Sequence, residues 1–325
     1  MYKIVYSVVD KEELQYTNEL MISLQSIKRL MPDQKIVVVV DKRTYNFYQN
    51  KQYPILKEAE VIPIEIPDTY SQKAKSRYLK TSLRKYVTGD FLFLDTDTVI
   101  CKQLPEKVSN AHIAMALDYN CSIPDRLDKD GVKALNKLCG LPFEHIENYY
   151  NTGVIWVRDS QEAAEFYRNW HNKWKETLDK GFIFDQPSAN YILRKKMYDF
   201  QILDNIWNLQ ISVIPTPIGE LKDAYVIHYF NVTDSAYLLC DPSIKRLGYN
   251  DECILRILGN PTYAFSRCAL IKLDDKTIEL LNSKSYKLLK MIQVKAHNLF
   301  DFNEKIIEGL NSITKFARKK TILGD

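Results

Sequence analysis

Residues Gly89–Ile100 read GDFLFLDTDTVI. Four apolar residues, Phe91 to Leu94, run straight into Asp95-Thr96-Asp97. Such an apolar run suits a strand covered on both faces. In extended chain Asp95 and Asp97 point the same way, roughly 6.6 Å apart. That is too far for two oxygens to share a small cation, so the pair can hold a metal only if the chain bends at the strand end. Ligands in open α/β sheets bind beyond the carboxyl ends of the strands. Oxygen ligands there suit Mg or Mn, and such an ion can bridge a diphosphate.

Working outward, the stretch is preceded by alternating strand and helix patterns. YKIVYSVV (Tyr2 to Val9) reads as a strand, and TNELMISLQSIKRLM follows with Leu20, Leu24, Ile27 and Met31 at helical spacing. KIVVVV (Lys35 to Val40) is an apolar strand, AEVIPIEI another, and Lys73 to Val87 reads as a helix. Downstream, AHIAMALDYN and YYNTGVIWVRD contain strands, and SQEAAEFYRNWHNKWKETL is an amphipathic helix with Ala163, Phe166, Tyr167, Trp170 and Trp174 on one side. AYVIHYF (Ala224 to Phe230) closes the pattern. Strands alternating with helices predict an α/β fold with a mostly parallel sheet. The character changes near residue 240, which predicts a catalytic domain over 1–240 and a mainly helical region over 241–325.

DTDTV fits two enzyme chemistries. One is the Asp-x-Asp of sugar-nucleotide transferases, where a metal holds the donor diphosphate. The other is the Asp-x-Asp-x-Thr/Val of haloacid-dehalogenase-like phosphatases, where the first aspartate is a nucleophile and the second a general acid. A plain Asp- and Thr-rich turn is the third reading. The phosphatase motif belongs on the first strand of its fold, whereas strand–helix units precede it here. A phosphatase also needs a later acidic pair, for which Asp274 and Asp275 are the candidates. A non-catalytic sugar-nucleotide or glycan-binding protein could use the same scaffold.

The 325 residues are 46% hydrophobic and 26% charged, an ordinary globular composition, and the net charge of +4 is too small to argue for nucleic acid. The 21 tyrosines offer flat faces with a polar tip, suited to sugars and bases as well as to cores. MYKIVYSVVD lacks the pattern of a signal peptide, and no run is long enough to span a membrane, so a cytoplasmic location is expected. The six cysteines form no CxxC pair and are expected to be reduced thiols.

The order of motifs over about residues 1–235 resembles the family-8 glycosyltransferases, retaining enzymes of the GT-A fold. The resemblance rests on IVYSVVD, KAKSRYLKTSLRKYV, DTD, MALDYN, YYNTGVIWV, FDQPSAN and VIHYF in that order. It implies that Asp95, Asp97 and His228 hold Mn or Mg, and that the donor is a UDP sugar. Tyr6, Ser7 and Asp10 fall at the strand that receives the uridine, with Tyr16 in place of the tyrosine that packs on the base. Lys80 and Arg77 face the diphosphate, on a basic helix side that also carries Lys73 and Arg84. Asp118, Asn151 and Asp185 meet the sugar, Gln186 lies beneath the reacting carbon, and Thr96 and Gly153 line the donor site. Asn231 stands where the family has the glycine of His-x-x-Gly. The implied reaction transfers a hexose to a glycan, glycolipid or glycoprotein. NEKIIEGLNSITKFARKK, basic at its end, reads as a helix that packs on a domain or second subunit, or lies on the inner face of a membrane.

Overall fold

In the computed structural model, the described residues are 2–10, 15–125, 129–141, 147–211, 220, 223–229, 283–285 and 288. The chain divides into two compact units, Met1–Leu273 and Asp274–Asp325, and all elements below belong to the first. The expected boundary at 240, the C-terminal basic helix, Asn231 and the Asp274–Asp275 pair lie outside the described residues.

The strands are β1 (Lys3–Val8), β2 (Ile36–Asp41), β3 (Glu60–Ile64), β4 (Phe91–Leu94), β5 (Thr98–Ile100), β6 (Ile113–Leu117), β7 (Tyr150–Val157), β8 (Phe200–Leu203), β9 (Leu209–Ile211) and β10 (Val226–Tyr229). The helices are α1 (Gln15–Leu30), α2 (Lys42–Asn50), α3 (Ile55–Glu58), α4 (Gln72–Ser82), α5 (Lys129–Leu138), α6 (Gln161–Asp179) and α7 (Gln186–Lys195). Seven strands form one sheet in the order β3-β2-β1-β4-β7-β6-β8. β3, β2, β1 and β4 run parallel, β7 runs antiparallel to β4 and β6, and β8 is parallel to β6. This is the mostly parallel, helix-flanked α/β architecture expected from the sequence.

Both faces of the sheet are covered, and strand alternation sorts the side chains between them. Leu92 and Leu94 join Ile4, Tyr6, Val8, Val38 and the α1 residues Leu20, Leu24 and Ile27 in one core. Phe91 and Phe93 join Val5, Val37, Leu79 of α4 and Phe166 and Trp170 of α6 in the other. Such two-sided burial is why FLFL and IVVVV carry no polar alternation. The run from Phe91 to Ile100 is not one strand, however. The chain leaves the large sheet at Leu94, turns through Asp95–Asp97, and enters a second sheet of order β5-β10-β9. Thr98 Oγ1 donates to Asp95 O at 2.8 Å, closing the turn. This supplies the bend that two metal-sharing aspartates require.

Because β7 is antiparallel, it is the start of β7 that meets the carboxyl edge of β4 and β6. Leu94 pairs with Val154, and Leu117 pairs with Tyr150. The segment Asn151-Thr152-Gly153 is thereby set beside both Asp95 and Asp118.

Candidate functional site

Asp95, Asp97 and His228 converge at this edge. One ligand atom from each lies within 4.8 Å of the other two. His228 pairs with Thr98 across β10 and β5, and Tyr229 N donates to Asp97 O at 2.8 Å, so the small sheet carries the imidazole to the turn. His228 Nε2 sits 3.1 Å from Asp97 Oδ1. Burial disfavours the charged ring, but Asp97, by charge and hydrogen bond, and Asp95 outweigh it and raise its pKa above the usual histidine value. Two carboxylates and an imidazole at this spacing could together hold a divalent metal ion.

Two cations from α4 reach the same place. Lys80, 2% exposed, places Nζ 2.9 Å from both oxygens of Asp95 and 3.8 Å from Asp185. Arg77 Nε lies 3.0 Å from Asp185 Oδ1. Burial alone would raise the Asp185 pKa, but Lys80 and then Arg77, with the Thr152 hydroxyl, hold it below the usual carboxylate range. The expected single basic face divides. α4 tightens into a 3-10 turn over Leu83–Lys85, and Arg84 swings away to Val87 O, Gly89 O and Asp159, while Lys73 is exposed.

A cavity of about 450 Å³ opens over these groups; Asp118, Asn151, Gly153, Asp185 and Gln186 line it together with the trio and both cations. Asn151 Nδ2 donates to Asp118 Oδ1 at 2.9 Å. Thr152 Oγ1 donates to Asp185 Oδ2 at 3.0 Å, and Gln186 Oε1 accepts from Thr152 N at 3.2 Å. Asp185 is fixed from behind, since its carbonyl accepts from Trp170 Nε1 and Ser188 Oγ. Gly153 has a specific reason to be glycine. A Cβ there would stand 2.8 Å from His228 Nδ1 and 2.9 Å from Asn151 Oδ1, and closer still to His228 Cε1. The close approach is made by the histidine ring.

Other expected site residues lie elsewhere. Tyr6 is fully buried, its hydroxyl 2.6 Å from Ser23 Oγ, because α1 covers the face of β1 to which it points. Ser7 is half-buried and does not line the cavity. Asp10 accepts from Thr17 N at 2.7 Å, anchoring the start of α1. Thr96 donates its hydroxyl to the buried Glu19, at 3.0 Å, and so turns away from the metal-type cluster. Tyr16, on the first turn of α1, is near enough to the cluster to feel it. Burial and then Glu19 raise its pKa, Arg77 opposes them, and Asp10 and Asp97 add to the rise.

Sequence reasoning passed over DNIWNLQI, residues 204–211. Asn208 is fully buried between His228 and Asn151. Gln210 braces the turn after β6, where Tyr119 N donates to its Oε1 at 2.6 Å and Asn120 accepts from its backbone N at 2.8 Å. That turn puts Tyr119 and Asn120 in the left-handed region (φ 55° and 53°) and sets Asp118 at the cavity wall. The signal was present: two amides spaced by two, one just before and one within the short strand β9.

The sheet, the acidic turn and the two inward cations define an α/β protein with a charged cavity beyond its strand ends. Residues 32–233 match the model of the nucleotide-diphospho-sugar transferases, and the chain belongs to that family. It is a glycosyltransferase-type protein. No curated protein sequence matches it. Among solved structures it is similar to mouse xyloside xylosyltransferase 1 in its apo form, at 14% identity, over 70% of this chain and 97% of that one, with a TM-score of 0.45. Galactosyltransferase LgtC, in complex with donor and acceptor sugar analogs, is 14% identical over 84% of this chain and 98% of its own, with a TM-score of 0.48. Glycosyltransferase GlyE of Streptococcus pneumoniae TIGR4 is 13% identical over 84% and 67%, with a TM-score of 0.46. Among the described residues no helix is long and apolar enough to cross a membrane.

Proposed function

We propose that the protein is a retaining hexosyltransferase of the family-8 type. It uses a UDP sugar such as UDP-glucose or UDP-galactose and a glycan, glycolipid or glycoprotein acceptor. One observation carries this reading: Asp95, Asp97 and His228 converge in a cavity beside two inward-facing cations. Asp95, Asp97 and His228 would hold Mn²⁺ or Mg²⁺, which would supply positive charge to a diphosphate leaving group. Lys80 and Arg77 add to that charge from α4; lysine acts as a point charge and arginine as a fork. Asp118, Asn151 and Asp185 orient the sugar hydroxyls. Gln186, its carbonyl oxygen held by Thr152 N, lies under the anomeric carbon. A glutamine is a poor nucleophile, so same-face attack assisted by the departing phosphate needs no covalent intermediate. Tyr16, with Ser7 and Asp10 on β1 and at its exit, flanks the nucleoside end. Phe184, half exposed at the cavity, offers a flat face to an acceptor sugar.

The test is to incubate the protein with a panel of UDP sugars and Mn²⁺ and measure UDP release. Asp97→Ala is expected to lower release by more than about 100-fold, since even groups behind a metal ligand are worth about 10–100-fold. Failure of every UDP sugar to bind, with hydrolysis of p-nitrophenyl phosphate instead, would replace this reading with the phosphatase one.

A further inference from the structure

The buried amides behind the metal-type trio form a chain whose direction is fixed at one end. Gly153 N, a backbone N–H, can only donate, and it points at Asn151 Oδ1 from 2.8 Å. The Asn151 amide is therefore oriented with its oxygen toward Gly153 and its nitrogen toward the Asp118 carboxylate, 2.9 Å away. Asn208 approaches the same Asn151 oxygen at 2.9 Å, so the group it offers there is its NH₂. Its own oxygen is left facing His228 Nδ1 at 3.0 Å. An amide oxygen accepts only, so Nδ1 must carry the proton. In the neutral ring that leaves Nε2 with its lone pair; the hydrogen bond from Nε2 to Asp97, 3.1 Å away, belongs to the charged ring. The polarity of one backbone N–H is thus passed through two asparagines to one imidazole.

We propose that Asn208 is a positioning residue of the donor site, which holds His228 in the Nδ1–H tautomer so that the Nε2 lone pair is the one offered to a divalent cation, and which simultaneously orients Asn151 toward Asp118. The cation part rests on the donor-site reading given above; the tautomer part does not. Asn208 is fully buried and contacts His228 and Asn151 rather than the cavity, so it acts only through them. Partners on the far nitrogen of a metal-ligating histidine set ring orientation and are worth about 10–100-fold in metal affinity. The same amide carries the orientation to Asn151, 57 residues earlier in the chain. A backbone carbonyl on Nδ1 could fix the tautomer alone; the Asn208 side chain also donates to Asn151.

The experiment uses the full chain and two readouts. The first is Mn²⁺ binding, followed by loss of the free-ion electron paramagnetic resonance signal with UDP present. The second is the ¹⁵N–¹H correlation spectrum of the imidazoles at alkaline pH, where neutral rings report their tautomer. With only five histidines in the chain, a His228→Ala spectrum assigns the ring. Expected are an Nδ1–H ring at His228 in the unaltered protein and Mn²⁺ binding weakened about 10–100-fold in Asn208→Ala. Asn208→Asp should keep the Nδ1–H tautomer, because a carboxylate still accepts from it. An Nε2–H ring in the unaltered protein overturns the proposal whether or not any variant folds. So does Asn208→Ala that binds Mn²⁺ within twofold of the unaltered protein and leaves the tautomer unchanged. If the unaltered protein binds no Mn²⁺ while His228 is Nδ1–H, the donor-site reading fails and the tautomer assignment stands.

Discussion

Replacing Gly153 by alanine should disable the metal-type cluster without touching any of its three ligands. The added Cβ would lie 2.8 Å from His228 Nδ1 and nearer to Cε1. Ordinary contact between such atoms needs about 3.5–4.0 Å. The ring must therefore retreat by more than about 1 Å, and the same Cβ presses on Asn151 Oδ1 from 2.9 Å. Metal–ligand distances tolerate only about 0.2 Å, so a shift of this size removes Nε2 as a ligand. Mn²⁺ affinity should fall at least about 10–100-fold, which is about 1.4–2.7 kcal/mol. Overpacking should also cost about 1–3 kcal/mol of stability, less if the ring relaxes into the cavity. Isothermal titration with Mn²⁺ and UDP measures the first effect, and thermal unfolding the second. The decisive comparison is the pair Gly153→Ala and His228→Ala. If the glycine acts through the histidine, the double variant binds Mn²⁺ no worse than His228→Ala alone. Additive losses, or a Gly153→Ala protein that binds Mn²⁺ like the unaltered one, would refute the steric reasoning.

Two further outcomes are expected. Lys80 Nζ bonds both oxygens of Asp95, so a cation arriving at Asp95 must compete with it. Lys80→Met should bind Mn²⁺ alone about tenfold more tightly, given about 1.5–3 kcal/mol for charged hydrogen bonds, and show a smaller gain on adding UDP; calorimetry that finds neither change refutes this. His171 offers a stability handle far from the ligands, with Nδ1 2.8 Å from Thr81 Oγ1 on α4. Burial, then Lys175 and Lys85, depress its pKa to about 4 from the ordinary 6.5. Between those values the unfolded chain binds the proton and the folded one does not, so stability is present above about pH 6.5 and is lost as pH falls toward 4. Melting curves across that window should show a fall that His171→Gln reduces; identical slopes would exclude His171 as its source.

The elements legible in sequence were those dictated by local periodicity. The runs IVVVV and FLFL could only be two-sided strands, and the tryptophans of α6 marked its buried stripe. The trio Asp95, Asp97 and His228 was legible through motif order, although the bend that unites the aspartates is a change of sheet that no local pattern announces. Less legible were the directions of individual side chains. Tyr6 looked available because it falls on the strand expected to receive the uridine, yet α1 covers that side of the sheet. Thr96 sits between two site aspartates but points to Glu19. Arg84 continued a helical row until a 3-10 turn took it out of line. Asn208 escaped because its meaning lies in partners 57 and 20 residues away, which no window along the chain contains.

The small sheet β5-β10-β9 has a consequence for how the protein is made. Asp97 and His228 are 131 positions apart in the chain, and they meet only when β10 docks between β5 and β9. A nascent chain that has emerged only as far as α7 holds the acidic turn, the large sheet up to β7, and both cations, but neither β9 nor β10. Contacts of such long sequence separation form late and slowly. Until then the two carboxylates face Lys80 and Arg77 without the imidazole. β10, the last strand among the described residues, therefore acts as a completion mark, and the Asp95–Asp97–His228 cluster matures after the scaffold around it.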